Sequence, residues 1–416
     1  MTLLEDLRWR GLINNITNEQ KFINFINQKG TAYIGFDPSA DSLHLGNYIT
    51  LITLRRIKAY GCHAIAIIGG ATGQIGDPSG KTSERIMQEA KTISLNALAI
   101  EKQIKKYGQV DEIINNLEIY KDMSFFDFLR SAGKLINVNY LLEKDIIKSR
   151  LETGISYTEF SYNLIQGYDF AWLYTHKNVT VQMGGSDQWG NITTGIEMIR
   201  KLVGDNNNAC GVTFNLLTKS DGTKFGKSES GAIYLDQKKT PSFSMYQFLF
   251  NQPDEQLEML FKHLTFLTKD EIEDILKLHR QDCTKRIGQK KLAELIIGDI
   301  HGNDEYAKCL KIASAFFNST LDKLNEQELL EAFSTIQSTN VNVKEINILE
   351  ALIAAKICDS KSEGRKLIEQ KAIIINNKPI DNIDYKITKK DAIIQNFVYI
   401  KKGKKNYYIL QIDVNI

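Results

Sequence analysis

The chain has 416 residues, 43% hydrophobic and 25% charged. That is ordinary for a globular protein and too long for one compact core, so two or three domains are expected. No apolar run is long enough to cross a bilayer, and the opening MTLLEDLRWRGLINNITNEQ lacks the continuous apolar region of a secretory signal, so a cytoplasmic protein with no membrane partner is expected. Cys62, Cys210, Cys283, Cys309 and Cys358 are scattered and never spaced CxxC, and the histidines show no HExxH pairing. These facts argue against a disulfide framework and predict no structural metal. The net charge of +2 hides an asymmetry: residues 346–416 hold 13 Lys+Arg against 8 Asp+Glu, and the remainder 39 against 42. A basic tail is read as the part that meets a polyanion, with a merely solvated lysine-rich surface as the alternative.

In chain order, TAYIGF (31–36), HAIAIIGG (63–70) and VTVQMGG (179–185) are short apolar runs ending at Gly or a turn. Helical patterns follow at 47–60, 83–107 and 187–203. The alternation predicts an α/β fold, a Rossmann-like parallel sheet over residues 1–235, with ligands at the carboxyl ends of its strands. Residues 109–160 read as a mostly helical insertion without a clear strand, and 236–318 as a helical domain. Residues 319–345 read as a linker, and 346–416 as a small basic α+β domain with helices at 347–358 and 361–370.

Five stretches carry chemistry. GGATGQIGDPSGKTSER (69–85) is not a Walker A loop, because Gly76 precedes Gly80 by four positions instead of five. It is either a tight turn or a backbone that approaches a ligand closely, with Asp77 free to hold an amine and Lys81 and Arg85 a phosphate. KSDGTKFGKSESG (219–231) sets Lys224 and Lys227 around a glycine, followed by Ser228, which suits mobile stabilisation of a polyphosphate. On the helix YTEFSYNLIQGYDFAWL (157–173), Tyr162, Gln166 and Asp169 share one face. That face is either wet or the polar wall of a pocket for a small zwitterion with its own hydroxyl. QMGGSDQWGN (182–191) brings two glycines to a strand end, with Asp187 and Gln188 able to bond hydroxyls or an amino acid. GFDPSADSLHLGNYITL (35–51) opens a helix at His44, and a helix N-terminus attracts phosphate.

HLGN and KFGKS resemble, in order and placement, the HIGH and KMSKS signatures of class I aminoacyl-tRNA synthetases. Together with YIGFDPSADSLHLGN, GGATGQIGDPSGK, ETGISYTEFSY, GGSDQWGN and DGTKFGKSESG they resemble the bacterial type of the tyrosyl-tRNA synthetase family, over the whole chain. The resemblance implies activation of L-tyrosine with Mg-ATP, then transfer to tRNA(Tyr). By it, Tyr33 and Asp169 hydrogen-bond the substrate phenol, and Asp77, Tyr162 and Gln166 hold its ammonium. Gln188 and Asp187 contact tyrosine and the ATP ribose. Gly35, Asp37, Ser39, His44, Gly46, Asn47, Thr50 and Gly185 line the nucleotide side, and Lys81, Arg85, Lys224, Lys227 and Ser228 stabilise the departing pyrophosphate. In the tail, Lys361, Arg365, Lys366, Lys401, Lys402, Lys404 and Lys405 are the expected tRNA contacts, and the 109–160 insertion is the expected homodimer interface. The second His of HIGH is Asn47 here; Asn keeps a donor of similar reach without a charge. A rival reading, an RNA-binding or splicing cofactor that kept the fold without catalysis, is opposed by His44, Asp77, Lys224 and Lys227. Tyr33 paired with Asp169 opposes a tryptophan enzyme.

Overall fold

The computed structural model describes residues 1–79, 87–151, 154–218, 225–228, 231–336, 338–394, 396–403 and 406–412, with backbone alone for Asp145, Ile146, Ser149, Lys227 and Ser228. The chain divides into two compact units, residues 1–239 with 253–288, and residues 240–252 with 289–416.

The first unit is built on six strands: β1 (Ile13–Ile16), β2 (Thr31–Phe36), β3 (His63–Ile68), β4 (Glu112–Asn115), β5 (Val179–Gly185) and β6 (Cys210–Phe214). Their order is β1-β6-β5-β2-β3-β4. Only β1 runs antiparallel to its neighbour. The three strands expected from sequence are β2, β3 and β5. β4 lies inside the region expected to lack a strand. Its four residues, EIIN, are all half-buried at the sheet edge, so they carry no alternation of faces. From β2 the chain moves outward to β3 and β4, then returns to the other flank of β2 with β5. That reversal puts a crevice at the carboxyl ends of β2 and β5.

The helix Leu45–Ala59 follows β2 and buries Leu45, Tyr48, Ile49, Leu51 and Ile52. Its far end is anchored by a buried guanidinium. Arg56 is 1% exposed and donates to the carbonyls of Lys262, His263 and Thr265 at 3.1, 3.2 and 2.5 Å. Arg10 donates to the carbonyls of Lys262, Thr265 and Leu267. Two cations thus meet the carbonyl end of the helix Leu257–Leu264, where its dipole favours them. Burial pulls Arg56 down to about 9, which still leaves it charged at neutral pH. These bonds tie segment 253–288 to the sheet.

The short strands β7 (Lys227–Ser228) and β8 (Gly231–Ala232) pair antiparallel beside the crevice. In the second unit, β9 (Ser338–Val341), β11 (Ile373–Ile375), β12 (Lys378–Pro379), β14 (Phe397–Lys402) and β15 (Asn406–Ile412) form a five-stranded sheet, and β10 (Glu345–Asn347) pairs with β13 (Lys386–Thr388). Ile348, Leu352, Ile368, Ile373, Val398 and Leu410 make its core. The segment expected to be a linker is structured instead. It contains the helix Glu326–Ser334, started by a reciprocal Asn325/Glu328 capping box and burying Leu329, Ala332 and Phe333, and it contains β9, which pairs with β15. Within this unit the Tyr407 hydroxyl donates to the Phe316 carbonyl at 2.8 Å and Asn377 donates to Asp322 at 2.7 Å. The tail therefore packs on the helices before it.

Candidate active site

The crevice of the first unit opens into a cavity of about 640 Å³. One end is set by Asp169 on the helix Tyr157–Lys177, a carboxylate 3% exposed. Asn116, directly after β4, donates from Nδ2 to Asp169 Oδ2 at 2.8 Å, and the Tyr120 hydroxyl donates to Oδ1 at 2.6 Å. Burial pushes the Asp169 carboxyl up to about 7 against the pull of those two bonds, with the nearby Asp37 charge acting in the same direction as burial. On β2, burial and the Asp169 charge raise the Tyr33 phenol well above its ordinary range. The Tyr33 hydroxyl is buried and has no hydrogen-bond partner among the described residues. A buried hydroxyl left so costs about 1–3 kcal/mol. A ligand hydroxyl accepting from Tyr33 and donating to Asp169 removes that cost.

Next along the cavity is a group of acceptors. Asp77 accepts from Gln188 Nε2 at 2.7 Å and from the Ser79 amide at 2.9 Å. Asp37 accepts from the Tyr162 hydroxyl at 3.0 Å and from Thr72 at 2.7 Å. Gln188 Oε1 accepts from Gln166 at 3.3 Å and from Asn191 at 3.0 Å. Gln166 Oε1 and Gln182 Oε1 are buried without a donor. Two carboxylates and two undonated amide oxygens suit a cation with several N–H groups, and an ammonium brings three. Asp37, grouped with the nucleotide residues from sequence, is bonded here to Tyr162. Its place requires Gly69, because a Cβ there would lie 2.0 Å from Asp37 Oδ1.

The other end of the cavity is lined by Gly35, Ser39, His44, Asn47, Thr50, Gly185 and Asp187. His44 caps the helix Leu45–Ala59 with an extended backbone, which sets the positive end of the helix dipole beside this end, while the Leu45 and Asn47 amides already donate to the Ile233 and His44 carbonyls. Asn47 Oδ1 accepts from the His44 amide at 3.1 Å, so the exchange in the signature box also serves as a helix cap. Gly46 does not line the cavity but lets the second signature approach. A Cβ on Gly46 would meet the Phe225 carbonyl at 3.0 Å, and a Cβ on Gly226, whose φ is +83°, would meet the Gly46 nitrogen at 2.6 Å. Leu45 N–H donates to the Ile233 carbonyl and Ile233 N–H to the Gly226 carbonyl. HLGN and KFGKS thus touch backbone to backbone.

Lys81, Arg85, Lys224, Lys404 and Lys405 lie outside the described residues, and Lys227 and Ser228 are described as the backbone of β7. In the tail, Lys361, Arg365 and Lys366 are exposed on the helix Lys361–Glu369, with Lys361 2.9 Å from Glu350. Lys402 donates to the Ile357 carbonyl at 2.7 Å. Lys401 departs from the expectation: it is 7% exposed and donates to Ser319 at 2.5 Å, as an internal strut of the second unit. Away from the cavity, Asp254, His279 and Cys283 bring three ligand atoms within 4.8 Å of one another. Asp254 is also 3.8 Å from Arg286. The Gly288 amide donates to His279 Nδ1, which leaves the imidazole proton on Nε2, 3.2 Å from Asp254. Despite that distance Nε2 makes no hydrogen bond among the described residues, and while it carries the proton it has no lone pair for a cation.

A mostly parallel sheet with a helix N-terminus and a polar cavity at its switch point is the architecture shared by Rossmann-like, nucleotide-using enzymes. Residues 27–318 match the family described as tRNA synthetases class I (W and Y), and residues 328–410 match the Tyrosine--tRNA ligase SYY-like C-terminal domain. Curated relatives called Tyrosine--tRNA ligase, from Ureaplasma parvum serovar 3 and Mycoplasma capricolum subsp. capricolum, are 49% identical over 409 residues and 45% identical over 408, each match covering 98% of both chains. The solved C-terminally truncated mitochondrial tyrosyl-tRNA synthetase of Aspergillus nidulans is 28% identical with a TM-score of 0.68, covering 76% of this chain and 94% of that one. The chain belongs to the class I tRNA synthetase family of the W and Y enzymes.

Proposed function

We propose that the protein is a tyrosine–tRNA ligase. The observation that carries this reading is the buried, unpartnered Tyr33 hydroxyl beside Asp169, which fits a phenol and is left unsatisfied against phenylalanine. The substrate ammonium lies among Asp77, Asp37, Gln166 and Gln182, and its carboxylate then faces the nucleotide end. There the carboxylate oxygen attacks the α-phosphorus of ATP in line. A C–O–P bond forms, the bond to the β-phosphate oxygen breaks, and pyrophosphate leaves. Mg²⁺ enters as part of the nucleotide substrate.

No covalent enzyme intermediate is needed. The chain's contribution is positioning, together with donors aimed at developing negative charge. His44 and the dipole of its helix serve the α-phosphoryl oxygens, and Lys81, Arg85, Lys224, Lys227 and Ser228 serve the leaving pyrophosphate. A hydroxyl of the terminal ribose of tRNA(Tyr) then attacks the tyrosyl carbonyl, and AMP leaves.

The tail holds tRNA through Lys361, Arg365, Lys366, Lys402, Lys404 and Lys405. Phe125, Phe126 and Val138, exposed by 64, 74 and 60%, support a homodimer interface in the 109–160 insertion. A cytoplasmic location goes with this reading, as the five free cysteines suit a reducing compartment. The test is ATP–pyrophosphate exchange with tyrosine, tryptophan and phenylalanine, followed by charging of tRNA(Tyr). Exchange with tyrosine and charging are expected. Exchange with tryptophan in place of tyrosine, or RNA binding with no exchange at all, would overturn the reading.

A further inference from the structure

Asp169 accepts a phenol hydrogen most strongly while it is ionised, yet burial and the nearby Asp37 charge favour its neutral form. The titratable groups facing it are Tyr33, Tyr120, Tyr162 and the Asp37 carboxylate. Two donors oppose that pressure. Asn116 is locked, because its own Oδ1 accepts from the Ala71 amide at 2.7 Å. Tyr120 has a choice. Its single O–H lies 2.6 Å from Asp169 Oδ1 and 2.8 Å from the Ile165 carbonyl, and its ring is held between Phe128 and Tyr168 at centroid distances of 6.1 and 6.2 Å.

We propose that Tyr120 is a positioning residue for tyrosine selection: its hydroxyl donates to ionised Asp169, turns to the Ile165 carbonyl when Asp169 is protonated, and so sets the pH range in which tyrosine is preferred to phenylalanine. With Asp169 ionised, the charge-assisted bond is the stronger of the two. With Asp169 protonated, the acid proton is donated to the Tyr120 oxygen and the Tyr120 proton goes to the carbonyl. No polar group is stranded in either state. The inference rests on the reading of this cavity as a tyrosine-activating site.

The test is pyrophosphate exchange from pH 6 to 9 with tyrosine and with phenylalanine, for the wild type, Tyr120→Phe and Tyr120→Trp. Removing the donor raises Asp169 further, so the acidic limb of kcat/KM for tyrosine moves to higher pH in Tyr120→Phe, by about one unit. At pH 7 the KM for tyrosine rises up to about tenfold, kcat is kept, and the phenylalanine reaction is unchanged. Tyr120→Trp retains an N–H donor and keeps the limb near its wild-type position; it decides the matter alone if Tyr120→Phe does not fold. An unmoved limb in Tyr120→Phe, equal losses with both amino acids, or a limb displaced in Tyr120→Trp overturns the role. A wild type that does not activate tyrosine defeats the underlying reading before either variant is measured.

Discussion

The two ends of the cavity are made differently. The phenol end is built from side chains on strand and helix, with Asp169 held by Asn116 and Tyr120 inside a dry wall. The nucleotide end is built from loop backbones that meet through glycines, Gly46 against Gly226. A rigid, desolvated end discriminates, because a ligand lacking the hydroxyl leaves buried groups unpaired. On the proposed reading the other end accelerates, because its donors serve charge that appears only in the transition state. Selection should therefore fail in KM, and rate in kcat, when each end is broken.

The largest effect expected is from Lys227→Ala, which on the proposed reading removes a cation from the leaving pyrophosphate. It should lower kcat for exchange by about 10²–10³ and leave the KM for tyrosine within about twofold. Gly226→Ala comes next. The added Cβ, 2.6 Å from the Gly46 nitrogen at a φ of +83°, forces the two signature loops apart, and displacement on that scale costs about 10² in kcat. Steady-state exchange separates both from a loss of tyrosine binding.

Asp169→Asn should lower kcat/KM for tyrosine by about 10–100-fold, the equivalent of one or two lost hydrogen bonds, while phenylalanine is untouched. The same variant should melt higher than the wild type at pH 8 and no higher at pH 4. The folded carboxyl sits at about 7, above its ordinary value. Its stabilising contribution is therefore full below about pH 4 and lost as pH rises through 7. Smallest is a wild-type effect: kcat/KM for tyrosine should fall by up to about tenfold per pH unit below 7, with no matching fall for phenylalanine. Calorimetry and exchange at several pH values check these two.

Sequence and structure agree where chemistry is concentrated in contiguous strings. The spacing of Tyr162, Gln166 and Asp169 placed all three on one helix face, and all three line the cavity. Gly46, expected on the nucleotide side, instead lies against Gly226, backbone to backbone. Asn116 and Tyr120 were not legible. They follow β4, a four-residue edge strand whose EIIN has no period to read, and their partner Asp169 is about fifty residues away in the chain. Lys401 was misjudged for a related reason. A lysine run reads as solvated surface, and nothing in KKGKK says that the first of them turns inward to Ser319. The irregular composition of 319–345 likewise concealed the capping box at Asn325 and Glu328 that starts a helix there.

The central claim, that one end selects and the other accelerates, is tested most directly by single-turnover formation of tyrosyl-adenylate at varied tyrosine, resolved into a dissociation constant and a rate constant. Asp169→Asn should weaken tyrosine binding with the rate constant nearly intact, and Gly226→Ala should slow the rate constant with binding nearly intact. Variants that each lose binding and rate together, in equal measure, would contradict that division.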